Sequence, residues 1–455
     1  MKALRSVRAT AVPRSGHFLA LVTLSLIVRP SLLAAQTAGN PIVYSTGVPA
    51  GTAASTSYID AYAATSGTDI CARINTAWGM VLGQAPTGNT PPNVNSVTVD
   101  ARGFTGSWNC ESSPFTPSGT SLLPNGVLLL GNAIITTSVT WFVPSHTSLI
   151  GIGGGNTTVG SGYGVNTVIR AADPFAANSP VLQMGASSSK GGPWFGIIIR
   201  NLTVDCNAQA NCVGIFNNEA DENSMVEQVQ IWDAPSYGLH VSAANTNDTS
   251  HPGATNSGPY RNIEIAYTSN CGSACNAAVG LQVDGPGTQI SGSATARSIR
   301  EFNDITVTGH GAGYLIGPAV VIVGVSTAFT NSHIEYAQTG LAIGNVSSTS
   351  PCTFGTISGN CVTDGVEVSN VSIGTLTGNP SQIAVAVGNS TSGAPATYDV
   401  TLTGIANQTV NAKSTTLQDN MSGTTLSSGS DPYIGLYALG RCPAGASCLV
   451  VKNTQ

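Results

Sequence analysis

From about residue 127 onward the chain alternates polar and apolar positions in short bursts. The clearest are Arg200-Asn-Leu-Thr-Val-Asp205, Glu227-Gln-Val-Gln-Ile-Trp232, Arg261-Asn-Ile-Glu-Ile-Ala266, Asn303-Asp-Ile-Thr-Val-Thr308, Ser332-His-Ile-Glu-Tyr336 and Ser369-Asn-Val-Ser-Ile373. A period of two is that of a half-buried strand. A second short strand headed by glycine follows most of them, as in Gly214-Ile-Phe, Gly238-Leu-His-Val, Gly280-Leu-Gln-Val, Gly313-Tyr-Leu-Ile and Gly340-Leu-Ala-Ile. The apolar starts Leu202, Val229, Ile263, Ile305, Ile334 and Val371 lie 27, 34, 42, 29 and 37 residues apart.

Paired short strands at such uneven intervals predict a solenoid. One coil cannot bury its apolar row alone, whereas stacked coils share a continuous core. Asn201, Asn262 and Asn370, with Gln228, Asp304 and His333 at the equivalent place, are expected to form a polar ladder from coil to coil. A β-sandwich would instead require turn signals every ~8–12 residues and no paired units. Near the start, Thr68 and Asp69 are N-cap types, and Ile70, Ile74, Trp78 and Val81 recur on one helical face. A helix over 69–82 would cap the open first coil and keep its edge from pairing with another chain.

Composition agrees with this picture. Hydrophobic residues make up 41% and charged ones 8%, with 53 Gly and 24 Pro, so neither a disordered chain nor a long-helix protein fits. The basic residues Lys2, Arg5, Arg8 and Arg14 precede an apolar run from Phe18 to Val28, followed by Ala34 and Ala35. That is the form of a secretory signal, too short to span a bilayer. Cleavage after Ala35 would leave 11 basic and 22 acidic residues. A polyanion such as DNA binds clustered Lys and Arg, so nucleic acid is not an expected partner. No later apolar run is long enough for a membrane span, and secretion or a periplasmic or cell-surface location is the expectation. The ten cysteines, at 71, 110, 206, 212, 271, 275, 352, 361, 442 and 448, suit disulfides in an oxidising compartment. Zinc is disfavoured for Cys206 with Cys212 and for Cys271 with Cys275, because no second ligand pair completes either. The divisions read as a signal (1–35), an N-terminal segment with the capping helix (36–95), the repeat (96–400) and C-terminal strands with a stapled cap (401–455).

The capping helix, then Val97-Thr-Val-Asp-Ala-Arg-Gly-Phe104, the apolar strand Val127 to Gly131, and Val143-Pro-Ser-His-Thr-Ser-Leu-Ile-Gly-Ile-Gly-Gly-Gly155 together resemble the entry to the pectate lyase superfamily. The likeness covers roughly residues 60–390 and is strongest over 96–240. It implies a right-handed parallel β-helix, an all-β fold whose exported members include polysaccharide lyases, glycoside hydrolases and epimerases, beside tailspikes and adhesins. The matched motifs are structural. Gly309-His310-Gly311 resembles a motif of polygalacturonase-like hydrolases, whose other elements are absent. The Trp-Ile-Asp-His and Arg-x-Pro-x-x-Arg signatures of calcium-dependent pectate lyases and the Asp-Pro-His of alginate epimerases are missing too. Gly151-Ile-Gly-Gly-Gly-Asn156 lacks the following helix of a phosphate loop and reads as a turn of the coil.

The expected function is therefore carbohydrate-active: lysis or hydrolysis of a uronate-containing, pectin-like polysaccharide in a shallow groove. A non-catalytic extracellular glycan-binding or adhesive protein is the alternative. Elimination needs a base and a neutralised carboxylate, and hydrolysis needs two carboxyl groups flanking the bond, so outward acids are the informative residues. Glu264 and Glu335 fall between inward apolar positions and are expected to face out, with Thr203, Gln230 and Thr306 at matching places. Asp205, Asp233, His240 and Glu264 form the expected catalytic groove, with Trp232 as a sugar-stacking platform and Glu335 as a further substrate contact. Glu219, Asp221 and Glu222 are the densest acidic cluster and the candidate oxygen ligands for calcium, the one cofactor the sequence suggests.

Overall fold

The computed structural model describes residues 57–82, 97–119, 124–153, 166–185, 194–217, 220–242, 257–284, 300–309, 315–323, 325–344, 363–374, 382–388, 397–408, 414–440 and 450–454. The signal segment, Glu219, His310, Gly313, Cys352, Cys361, Cys442 and Cys448 lie outside them. All the described residues belong to one unit, Asn40–Gln455.

The chain winds as a right-handed parallel β-helix. One sheet runs through Ser57–Asp60, Val97–Ala101, Gly126–Leu130, Thr147–Ile150, Ile198–Asp205, Met225–Trp232, Tyr260–Tyr267, Arg300–Gly309, Val325–Glu335, Thr363–Gly374 and Thr397–Asn407, every neighbour parallel. A second sheet takes the following strand of each coil, from Trp141–Val143 through Pro180–Met184, Val213–Asn217, Tyr237–Ser242, Val279–Asp284, Leu315–Ile322 and Ala337–Ile343 to Ile383–Val387 and Thr415–Asp419. Parallel pairing thus begins at Ser57 and runs to Asn407 on the first sheet and to Asp419 on the second. Antiparallel strands finish both sheets: Tyr433–Leu439 and Val450–Thr454 on the first, Thr424–Ser427 on the second.

Besides Gly365 and Asp399 in the last two, each long strand of the first sheet bends at a residue with positive φ in one shared register. These are Asn201, Gln228, Asn262, Asp304, Asn331, Asn370 and Gly404, one above another in register, with φ between 51° and 65°. Asn, Asp and Gly tolerate this left-handed conformation best, which accounts for most of the row. The expected row is in register, with one correction, that its fifth member is Asn331 and not His333, and side-chain bonds join it at its Asn331 and Asn370 end. Asn370 Nδ2 donates to Asn331 Oδ1 at 2.7 Å, and Asn331 Nδ2 donates to Asn303 Oδ1 at 3.3 Å. The start of that rung is therefore Ser332 and not Ile334. Ser332 is 5% exposed, its hydroxyl accepts from Ile305 N and donates to Thr330 O, and Ile334 pairs with Val307. A small hydroxyl whose bonds are made locally takes an inward position that the sequence pattern reserves for an apolar side chain.

The glycine-headed strands also have a structural cause. Gly214, Gly238, Gly280 and Gly340 point at the core, where a Cβ would lie 2.3, 2.4, 2.4 and 2.6 Å from Ile231, Ile265, Val307 and Ile373 respectively. Ala319 and Ala384 continue this row of small residues. The two sheets approach too closely there for anything larger. Elsewhere the interior is a single apolar column, with Tyr260 and Phe302 stacked at 4.8 Å and Phe329 on the next rung. The Tyr260 hydroxyl is satisfied inside by Asn217 and Ser257.

The predicted helix is present over Ile70–Leu82, with Ile70, Ile74 and Trp78 fully buried against the first coil. Asp69 caps it through Ala72 N at 2.8 Å. Arg73 is enclosed by the rings of Tyr62, Phe104 and Trp108, 4.5–5.8 Å from their centres, and donates to Tyr62 O and Thr65 O. Among the described residues three disulfides form, Cys71–Cys110, Cys206–Cys212 and Cys271–Cys275, and no cysteine is free. No helix among them is long and apolar enough to cross a membrane.

Candidate functional site

Beyond the left-handed bend, the segments 202–205, 229–232, 263–266, 305–308, 332–335 and 371–374 form one face of the coil. Side chains alternate in and out along each, so the face carries two outward columns. The first is Thr203, Gln230, Glu264, Thr306, His333 and Ser372; the second is Asp205, Trp232, Ala266, Thr308, Glu335 and Gly374. Successive rungs are about 4.8 Å apart.

The open part of this face holds an imidazole and a carboxylate in contact. His333 Nε2 lies 2.7 Å from Glu335 Oε1, with 34% and 37% of the two side chains exposed. The residues are two apart on one strand and stand side by side on the same face. Thr306 and Ser372 flank His333 on the neighbouring rungs, and Gly374 flanks Glu335. A Cβ at Gly374 would meet nothing nearer than Gln408 Oε1 at 3.4 Å, so the space beside the carboxylate is left clear. Tyr336, at φ 57° and 45% exposed, projects at the end of the strand.

Glu264 lies two rungs from His333 in the same column, roughly 10 Å along the stack. It is half-buried and accepts from Gln230 Nε2 at 2.5 Å. Above it, Gln230 Oε1 and Thr203 Oγ1 are buried without a hydrogen-bond partner. A buried polar atom left unpaired costs about 1–3 kcal/mol, and with no exposed surface these two atoms lie beneath the open part of the face.

The residues anticipated as one constellation are divided by the structure. Glu264 faces out, but Glu335 aligns with Thr308 and Asp205; it is His333 that matches Glu264. The two-residue offset follows from the Ser332 start. Asp205 is 3% exposed and ion-paired with Arg170 at 3.3 Å, and it accepts from Asn207 N at 2.7 Å. Asp233 is 5% exposed, and its carboxylate accepts from Thr268 N and Thr268 Oγ1. Both shape the turn after the strand and do not line an open groove. Trp232, at 6% exposure, is no platform for a sugar. His240 does point outward, with Leu239 buried beneath it, but it belongs to the second sheet, between the rings of Phe216 and Tyr237 at 4.9 and 4.7 Å. Of the acidic cluster, Asp221 is half-buried and Glu222 exposed. Among the described residues no group of three His, Cys, Asp or Glu side chains comes together as a metal site. The residue of this face that sequence reading misplaced is His333. Its spacing from Asn331, which has the residue type of the ladder, was the available signal.

Burial raises the Asp233 carboxyl above the ordinary aspartate range, and nearby Asp205 pushes the same way. The two Thr268 donors and Arg170 oppose this without cancelling it. A raised carboxyl pKa means that the folded state holds the proton more tightly than the unfolded one. Stability then falls as pH rises from the ordinary value through the raised one. Asp233→Asn keeps an acceptor for Thr268 N and removes the titration. Its urea-unfolding free energy is expected to lose that downward slope, and a slope identical to wild type would assign the proton elsewhere.

No family model and no curated protein matches the chain. Among solved structures it is similar to ORF18 of Geobacillus virus E2, with 12% identity and a TM-score of 0.32, over 74% of this chain and 69% of that one. It is also similar to the A-module of the mannuronan C-5 epimerase AlgE4 from Azotobacter vinelandii, with 13% identity and a TM-score of 0.29, over 79% of this chain and 97% of that one.

Proposed function

We propose that this protein is an exported carbohydrate-active enzyme that acts on a uronate-containing polysaccharide at the face bearing Glu264, His333 and Glu335. The observation that carries the reading is the His333–Glu335 contact of 2.7 Å on an open stretch of sheet. With Nε2 engaged by the carboxylate, Nδ1 of a neutral imidazole is left to take a proton, the arrangement of an oriented general base. In a uronate that proton is the one beside the ring carboxylate, and its removal leads to elimination. Thr306 and the Ser372 hydroxyl, which accepts from Gln408 Nε2 and keeps its own proton to donate, supply hydrogen-bonding groups for sugar hydroxyls. The resemblance of residues 96–240 to the pectate lyase superfamily supports the same substrate class.

Elimination also requires the substrate carboxylate to be neutralised, and Glu264 and Glu335 add negative charge. A cation such as calcium would be recruited between substrate and these acids, with Asp221 and Glu222 too few to hold one alone. The test is incubation of the mature protein with pectate, alginate, hyaluronan and neutral glucans, with calcium or with chelator, following unsaturated uronate ends by ultraviolet absorbance and reducing ends in parallel. Unsaturated ends on one of the uronate polymers are expected. Reducing ends alone would replace elimination with hydrolysis between Glu264 and Glu335, and neither signal on any polymer would overturn the proposal.

A further inference from the structure

We infer that a pocket in the first coils, separate from the acid–histidine face and independent of the function proposed for it, binds a neutral sugar ring. The pocket, an open depression of about 350 Å³, is lined by Asn109, Cys110, Glu111, Thr136, Ser138 and Ala172. That volume lies at the lower end of small-ligand sites. Its walls come from three successive coils. Asn109 pairs in register with Thr136 and Thr136 with Arg170, while Ser138 N donates to Cys110 O and Ala172 N to Thr137 O. The pocket therefore spans two rung spacings along the stack and one side-chain repeat along the strands, about 10 by 7 Å.

Its chemistry is that of a polyol site. Asn109, Glu111, Thr136 and Ser138 present an amide, a carboxylate and two hydroxyls to one concavity. None of these four side chains makes a hydrogen bond or ion pair with another described residue, whereas Asn75, Thr116 and Thr137 nearby are all committed to internal bonds. Ala172 gives the third coil a short apolar wall against which a ring face can lie. No cation is part of the lining, and the Arg170 guanidinium, one rung beyond Thr136, is engaged by Asp205 and Asn207, so Glu111 is the one charged group that a uronate or phosphate would meet among the lining residues. A neutral pyranose, all hydroxyls and one apolar face, is the ligand class that satisfies these groups.

The wall is also held rigid before any ligand arrives. Cys110 is tied to the capping helix through Cys71, and the Asp69 carboxylate bridges Ala72 N and Glu111 N, both at 2.8 Å. Preorganisation of this kind reduces the ordering cost of binding.

The test is titration calorimetry and saturation-transfer NMR on the full mature protein, with methyl glycosides of glucose, galactose, mannose, xylose and rhamnose and with methyl glucuronide. Binding of at least one neutral glycoside is expected, and the part of binding that Asn109→Ala weakens should be smaller for methyl glucuronide than for methyl glucoside. Asn109→Ala and Thr136→Ala should each weaken binding roughly tenfold, as for one lost hydrogen bond with its partner left unpaired. Ala172→Phe should abolish binding by filling the space. The two shortening variants keep the test decisive if Ala172→Phe fails to fold. Glu335→Gln should leave glycoside affinity unchanged. Absence of binding by every neutral glycoside, a glucuronide preference that Asn109→Ala abolishes, or undiminished affinity in Asn109→Ala and Thr136→Ala would overturn the inference.

Discussion

Gly238→Ala should destabilise the fold by roughly 2–3 kcal/mol, the effect of a methyl group forced into a packed core. The new Cβ would stand 2.4 Å from Ile265 Cγ2 and 2.7 Å from the Gly280 carbonyl oxygen. The first neighbour is a β-branched side chain with one preferred rotamer, and the second is backbone bonded into the sheet. Neither can yield without moving a strand that is itself stacked between two others. The comparison residue is Gly317, where an added Cβ meets nothing nearer than Ala277 O at 3.9 Å. Gly317→Ala should be neutral or slightly stabilising, because it removes freedom from the unfolded chain. Urea unfolding followed by circular dichroism measures both. In a double-mutant cycle, Ile265→Ala should relieve part of the Gly238→Ala penalty, so the pair should lose less than the two single changes together. Equal effects of Gly238→Ala and Gly317→Ala would show that the sheets do not close on each other at this row.

These glycines illustrate what the sequence made legible. Period-two alternation marked Leu202, Val229, Ile263, Ile305 and Val371 as inward positions, and all five are at most 1% exposed. The glycine after most units was visible as a repeat, although its reason, a β-branched side chain from the opposite sheet, exists only once the coil is wound. The helix over Ile70–Leu82 was legible because capping and 3.6-residue spacing are local properties. The site was harder to read. A polarity pattern assumes that an inward position is apolar, and Ser332 broke that assumption by satisfying its hydroxyl against backbone. The slip moved His333 into the ladder and Glu335 into the wrong column. Burial of Asp205, Trp232 and Asp233 was equally invisible, because whether an outward side chain meets solvent depends on what packs over the sheet and not on its own strand. His240 was rightly oriented yet assigned to a groove it does not share, since the alternation does not say on which sheet a residue stands.

His333→Ala is expected to lower kcat on the responsive uronate polymer by roughly 10²–10⁴, the range for removing a positioned general base. Glu335 acts on the substrate through His333 in this reading, so two replacements should separate its parts. Glu335→Gln retains a side-chain oxygen to accept from Nε2 and should lower kcat by about tenfold, chiefly from the lost charge. Glu335→Ala releases the ring and should approach the loss of His333→Ala. The double variant His333→Ala/Glu335→Ala should be no slower than His333→Ala alone, because a carboxylate that only orients an imidazole has nothing left to orient. KM should change little in all of them, since the pair is asked to act in the transition state and not in uniform binding. Both side chains are a third exposed and bonded only to each other among the described residues, so thermal unfolding should stay close to wild type. Asp205→Asn should do the reverse, lowering stability through the lost Arg170 pair with kcat kept. Full activity in His333→Ala, or additive losses in the double variant, would mean that the contact at 2.7 Å is a surface ion pair and that the chemistry resides on another face.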